Sequence, residues 1–140
     1  MQSHPFGNEI TVETITTTLA ALQGWENRYR QVILWGKQLP ALPDDMRDEQ
    51  HKVNGCESNV WLYWHLDEQQ QYQLYADSDA RIVKGLVCLV LAAYNNKTAT
   101  QIRAFDFNAY FSSLGMEQHL TPTRSNGIKA IVERIQALAE

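Results

Sequence analysis

The sequence predicts a compact α+β domain in which an antiparallel β-hairpin or small sheet is packed by helices, and three observations predict it. Apolar residues recur at three- and four-residue spacing near both ends of the chain, as in Val12, Ile15, Leu19 and Leu22 and again in Ile128, Ile131, Val132, Ile135 and Leu138. Two aromatic and β-branched runs, Val60–Leu66 and 71–76, flank a polar turn at 67–70 and read as a hairpin. Residues 82–94 are apolar nearly all round, which predicts a central buried helix. With 140 residues, 44% of them hydrophobic, the chain suits a single domain over 1–140, of which 1–9 are expected to be flexible.

In chain order, Thr11 is placed to cap a first helix. After Gly24 the pattern restarts with Trp25, Tyr29, Val32 and Ile33 on one face, and this second helix should end near Gly36. Pro40 and Pro43 resist helix, so 37–59 reads as a long connection with one helical turn near 45–48. Connections of that length inside a small domain are often functional. The first hairpin strand carries large apolar groups on both faces, so helices should cover one side of it and part of the other. Asp77 and Asp79 stand where they could cap the buried helix, Asn95-Asn96 should stop it, and Thr98 can cap a short helix through Ile102. Phe105, Phe107, Tyr110 and Phe111 read as an aromatic part of the core. Residues 120–127 read as a turn before a last amphipathic helix.

Composition excludes several classes of function. A formal charge of −4, from 12 basic and 16 acidic side chains, supplies no electrostatic footprint for nucleic acid. No uncharged apolar run reaches the roughly 18 residues that would span a bilayer, and the first residues show neither a basic nor an apolar signal region. A cytoplasmic protein without membrane or nucleic-acid partners is expected, with its two cysteines as free thiols. The four histidines and two cysteines show no metal-ligand spacing, so no metal site is expected.

The chemistry centres on His51-Lys52-Val53-Asn54-Gly55-Cys56-Glu57-Ser58. A thiol attacks as thiolate, and Cys56, on a loop beside glycine with Lys52 and His51 near in sequence, is better set up to react than a thiol inside an apolar helix. Cys88, within Gly85–Leu91, reads as a small buried hydrophobe. The residues alone leave Cys56 open between a reactive and a structural turn thiol. They also leave open a cysteine hydrolase that pairs Cys56 with one of the histidines in space.

Four segments, in order, carry a family resemblance: Gly36-Lys37-Gln38-Leu39-Pro40; Gly55-Cys56-Glu57-Ser58 followed by Val60-Trp61; Asp77-Ser78-Asp79-Ala80-Arg81-Ile82-Val83-Lys84-Gly85; and His119-Leu120-Thr121-Pro122-Thr123-Arg124-Ser125-Asn126-Gly127. Together they resemble the SufE/CsdE family of sulfur acceptors from about residue 10 to the C-terminus. The opening His4-Pro5-Phe6-Gly7 and Leu114-Gly115 are more similar to the CsdE branch.

The resemblance implies a SufE/IscU-like α+β domain that receives sulfane sulfur from a cysteine desulfurase of the CsdA or SufS type and holds it as a persulfide on Cys56. It implies stimulation of the desulfurase and onward transfer to a downstream sulfur acceptor, for example in iron–sulfur cluster assembly. The chain then needs no cofactor, since the pyridoxal phosphate belongs to the desulfurase, and is expected to be a sulfur-transfer partner and activator of the desulfurase, not an enzyme. Gly55 is expected to give the loop backbone freedom, Glu57 beside it to be solvated, and the loop to lie beside Trp61 and the aromatic cluster. Asp77 and Arg124 match family positions near the loop. Asp77 either caps the buried helix or serves the site, and Arg124 either ties down its turn or holds the thiolate. A regulatory binder of the desulfurase that makes no use of Cys56 is the non-catalytic alternative, whereas an iron–sulfur scaffold would need more cysteine ligands than this chain has.

Overall fold

The computed structural model describes residues 2–54 and 58–140. Helix α1 (Val12–Ala20) begins where Thr11 and Thr14 cap each other's backbone amides, and it buries Ile15 and Leu19. Helix α2 (Trp25–Gly36) starts after Gly24, whose φ of +81° suits glycine, and buries Val32, Trp35 and Gly36. A 3₁₀ turn, Asp44–Met46, interrupts the long connection that follows.

The hairpin forms as its sequence predicts, with β1 (Val60–Leu66) antiparallel to β2 (Gln71–Ser78) in a register pairing Val60 with Ser78 and Leu66 with Tyr72. The Asp67 carboxylate fixes the turn by accepting from the amides of Gln69 and Gln71, both at 2.9 Å. A two-residue strand, β3 (Lys97–Thr98), pairs with the start of β2, so β2 is central in a β1-β2-β3 sheet.

Helix α3 (Arg81–Tyr94) lies over β2 and buries every residue except Arg81 and Lys84. It meets α2 at two glycines: a Cβ on Gly85 would stand 2.3 Å from the Val32 carbonyl oxygen, and one on Gly36 would stand 3.0 Å from the Gly85 amide. The two helices therefore approach backbone to backbone. The expected acidic cap of α3 is not formed. Its N-cap is Ala80, without a side-chain bond, because Asp77 lies within β2 and Asp79 is bonded to Asn59.

Helices α4 (Ala99–Ala104) and α5 (Phe107–Ser113) follow, α4 with the Thr98 cap. Phe105 and Phe107 pack on Tyr94, Tyr110 packs on both of them, and the Tyr110 hydroxyl donates to the Leu89 carbonyl. Helix α6 (Pro122–Leu138) begins six residues earlier than its apolar pattern, because Thr121 caps it and Pro122 fits its first position; the expected turn at 120–127 is largely helix.

Within the first nine residues, expected to be flexible, His4 to Gly7 pack against the domain. Phe6 is wholly buried, and buried Asn95 donates to its carbonyl at 2.8 Å while accepting from the Leu74 amide at 2.7 Å. The His4 ring nitrogen Nε2 donates to the Leu74 carbonyl at 2.7 Å. Gly7 has φ of +89° and lies so close that a Cβ would stand 2.6 Å from the Asn95 carbonyl oxygen.

Candidate functional site

The long connection is held by one buried carboxylate. Asp77 is 0% exposed; its Oδ2 accepts from the Leu42 amide at 2.8 Å and from the Arg47 guanidinium at 2.7 Å, while Oδ1 accepts from the Ser78 amide at 2.8 Å and faces Lys84 Nζ at 3.1 Å. Burial alone would raise the Asp77 pKa, but hydrogen bonds from Arg47, Leu42, Lys84 and Ser78 outweigh it and hold the carboxyl below its ordinary value. The charge of Asp77 thus ties the connection to β2 and α3 at once. Arg47 also lies over the Trp61 ring at 5.1 Å, in cation–π geometry, and its Nε is buried with no hydrogen-bond partner among the described residues. Beside this junction, Leu39, Pro40, Leu42, Met46, Tyr75 and His4 help to line a cavity of about 330 Å³.

Further along, the connection pairs with the start of β1. The Val53 amide donates to the Val60 carbonyl at 2.8 Å, the Leu62 amide donates to the His51 carbonyl at 2.9 Å, and Lys52 bridges to Trp61. On the far side Asn59 is fixed twice, by the Asp79 carboxylate and by Ser78 Oγ, which donates to its carbonyl at 2.7 Å. Val53 and Asn59 are thus each anchored to the hairpin. Gly55, Cys56 and Glu57, the three sequence candidates between them in the chain, lie outside the described residues.

Just before Val53 in the chain, the His51 ring donates from Nδ1 to Asp48 at 2.8 Å and stacks on Tyr63 with centroids 3.8 Å apart. Hydrogen bonds from the His51 ring and amide lower the Asp48 pKa. The sequence reading missed Arg47, Asp48 and Tyr63. The polarity of 44–48 was visible, but partners 15 to 30 residues apart leave no periodic signal.

Cys88 sits where its sequence predicts: it is 0% exposed on α3, its Sγ is 3.7 Å from the Trp35 carbonyl oxygen, and burial pushes its thiol pKa far up. Arg124 differs from expectation. It lies in the first turn of α6, within the stretch expected to be a turn, and its Nη1 donates to the Tyr29 hydroxyl on α2 at 2.8 Å. Tyr29 meets Trp25 edge-on, and Trp25 stacks on His119. The aromatic cluster and Trp61 also separate, since the cluster packs on the C-terminal half of α3 while Trp61 pairs with Asp77 near its N-terminal end. Among the described residues no group of three or more His, Cys, Asp or Glu side chains could hold a metal ion, and no helix is long and apolar enough to cross a membrane.

This α+β frame, with its buried Asp77 junction, can be set beside known proteins. The chain belongs to the SufE family, whose Fe-S metabolism associated domain matches residues 13–139. It is 42% identical over 134 residues to the sulfur acceptor protein CsdE of Escherichia coli, covering 96% of this chain and 91% of that one. It is also 41% identical over 133 residues to an uncharacterised SufE-like protein of Rhizobium etli, covering 93% and 90% of the two chains. A solution structure of a hypothetical protein from Thermus thermophilus shares the fold at a TM-score of 0.73 with 18% identity, covering 99% of this chain and 96% of that one.

Proposed function

We propose that the protein is a sulfur acceptor that takes sulfane sulfur from a cysteine desulfurase onto Cys56 and passes it onward to a further acceptor, for example in iron–sulfur cluster assembly. The observation that carries this reading, beside family membership, is the exclusion of the other thiol: Cys88 is fully buried with its pKa pushed up, so it cannot present a thiolate to another protein. Cys56 is the other of the two cysteines and stands in the segment that resembles the family's acceptor motif.

The step follows thiol–disulfide exchange. The Cys56 thiolate attacks the terminal sulfur of the donor's cysteine persulfide. A bond forms between Cys56 Sγ and that sulfur as the donor's S–S bond breaks, and the electron pair leaves with the donor's cysteine thiolate. The proton of the terminal sulfur passes to solvent or to that thiolate, and no net oxidation occurs. Sulfur arrives already at the sulfane level, so the chain needs no cofactor of its own; pyridoxal phosphate acts in the donor, which releases the sulfur from cysteine. The reaction suits the reducing cytoplasm.

Gly55 and Glu57 flank the acceptor in this reading. Asp77 positions the connection that leads to it, and the Arg124 guanidinium favours the thiolate electrostatically. The test is desulfurase turnover with cysteine, measured with and without the protein. Stimulation by the wild type that is lost in Cys56→Ser supports the reading. Equal stimulation by Cys56→Ser would instead make the chain a regulatory binder.

A further inference from the structure

We infer that the outward face of α2 is the surface on which the sulfur-donor protein docks, and that the donor meets it with an acidic surface carrying apolar groups. The inference rests on the sulfur-acceptor reading above and specifies how the partner is recognised. Helix α2 buries Val32, Trp35 and Gly36 in the core and packs half-buried Tyr29 and Ile33 against it. It nevertheless keeps Trp25 at 42% and Leu34 at 45% exposure, large apolar groups that the fold leaves in water. Trp25, Tyr29 and Ile33 recur at four-residue spacing and form one stripe, and Leu34 borders it.

This stripe is held in place before any partner arrives. Tyr29 meets the Trp25 ring edge-on at 5.7 Å, His119 stacks on its face at 4.9 Å, and Arg124 holds the Tyr29 hydroxyl. Aromatic side chains already fixed by neighbours lose little conformational freedom on binding. Tryptophan, tyrosine and arginine are also the residues that most often dominate binding energy.

Charge identifies the partner. Arg30 and Lys37 border the stripe and Arg124 adds a third cation, against the single carboxylate of Glu26. The chain as a whole carries −4, so this face is opposite in sign to the molecule. A basic face with an apolar centre fits an acidic protein surface and steers its approach. A second copy fits poorly, because an isologous pairing of this face would set its cations against themselves. Nucleic acid fits poorly too, since so few cations on an acidic chain neutralise little of a phosphate backbone.

The test is the double variant Arg30→Glu with Leu34→Glu, both solvent-exposed positions where substitution should leave the melting temperature within about 2 °C. Binding to a cysteine desulfurase is measured by calorimetry, beside wild type and beside Glu68→Lys on the exposed hairpin turn. Kd should rise on the order of tenfold for the double variant and stay near wild type for Glu68→Lys. An unchanged Kd in the folded double variant, or an equal loss in Glu68→Lys, overturns the docking face. So does a wild-type dimer in sedimentation that the double variant abolishes. Intact mass of the wild type after incubation with desulfurase and cysteine keeps the two readings apart. Added sulfur together with an unchanged Kd refutes the docking face alone, whereas no added sulfur and no binding refutes the sulfur-acceptor reading beneath it.

Discussion

Replacing Asp77 with asparagine tests the junction that holds the long connection. The substitution keeps the shape and removes the charge. Asp77 is wholly buried, and four donors converge on it: two amides, a guanidinium and an ammonium. Breaking a buried ion pair by removing one partner costs about 3–5 kcal/mol. Two features reduce that here. Arg47 and Lys84 keep 30% and 20% of their side-chain surface in water and can be rehydrated, and the asparagine oxygen still accepts one bond. A loss of about 2–3 kcal/mol is therefore expected at pH 7, which for a chain of this length lowers Tm by roughly 7–10 °C.

The pH dependence has a definite sign. The folded-state pKa of Asp77 is depressed, so its contribution is fully present above the unfolded value of about 3.9 and is lost as pH falls through the folded value. The gap in Tm between wild type and Asp77→Asn should be full at pH 7 and narrow as pH falls below about 4. Thermal melts across that range provide the assay. A gap under about 2 °C at pH 7, or one that stays constant into acid, would refute the account of Asp77 as the charged anchor.

Three further outcomes are expected. Gly85→Ala should destabilise by about 1–3 kcal/mol or more, read by urea unfolding, because its Cβ would enter the Val32 backbone; a neutral effect would show that α2 and α3 can part cheaply. Alkylation of the native protein should modify Cys56 and leave Cys88 untouched until unfolding, as its burial requires, and equal labelling rates by peptide mapping would contradict that placement. Arg124→Ala should move the pH profile of Cys56 alkylation upward while Arg124→Lys restores part of it, and loss of the Tyr29 bond should cost about 0.5–1.5 kcal/mol. An unmoved profile with a lowered Tm would leave Arg124 as a purely structural tie.

Much of the frame was legible because it is local and periodic. The Thr11 cap, the 67–70 turn and the apolar run of α3 each declare themselves within a few residues. What the sequence hid lacks periodicity or spans long separations. Strand β3 is two residues long and carries no alternation. The start of α6 was masked by Asn126-Gly127, which read as a turn although Thr121-Pro122 already marks a helix start. The N-terminal tether depends on His4 and Asn95 meeting the Leu74 backbone, and the Arg47–Asp77 pair joins residues 30 apart. For the site, the Cys56 segment stood out by chemistry and Asp77 by position. The use of the Asp77 charge to hold the connection, and the seating of Arg124 on α2, follow from tertiary packing and have no sequence signature.

The most direct measurement of the central claim is localisation of the transferred sulfur. The wild-type protein is incubated with a cysteine desulfurase and cysteine, trapped by alkylation, and digested for tandem mass spectrometry. The account predicts one extra sulfur atom on the peptide containing Cys56, none on the peptide containing Cys88, and no adduct on Cys56→Ser. Sulfur found on Cys88, or an undiminished adduct on the serine variant, would contradict it.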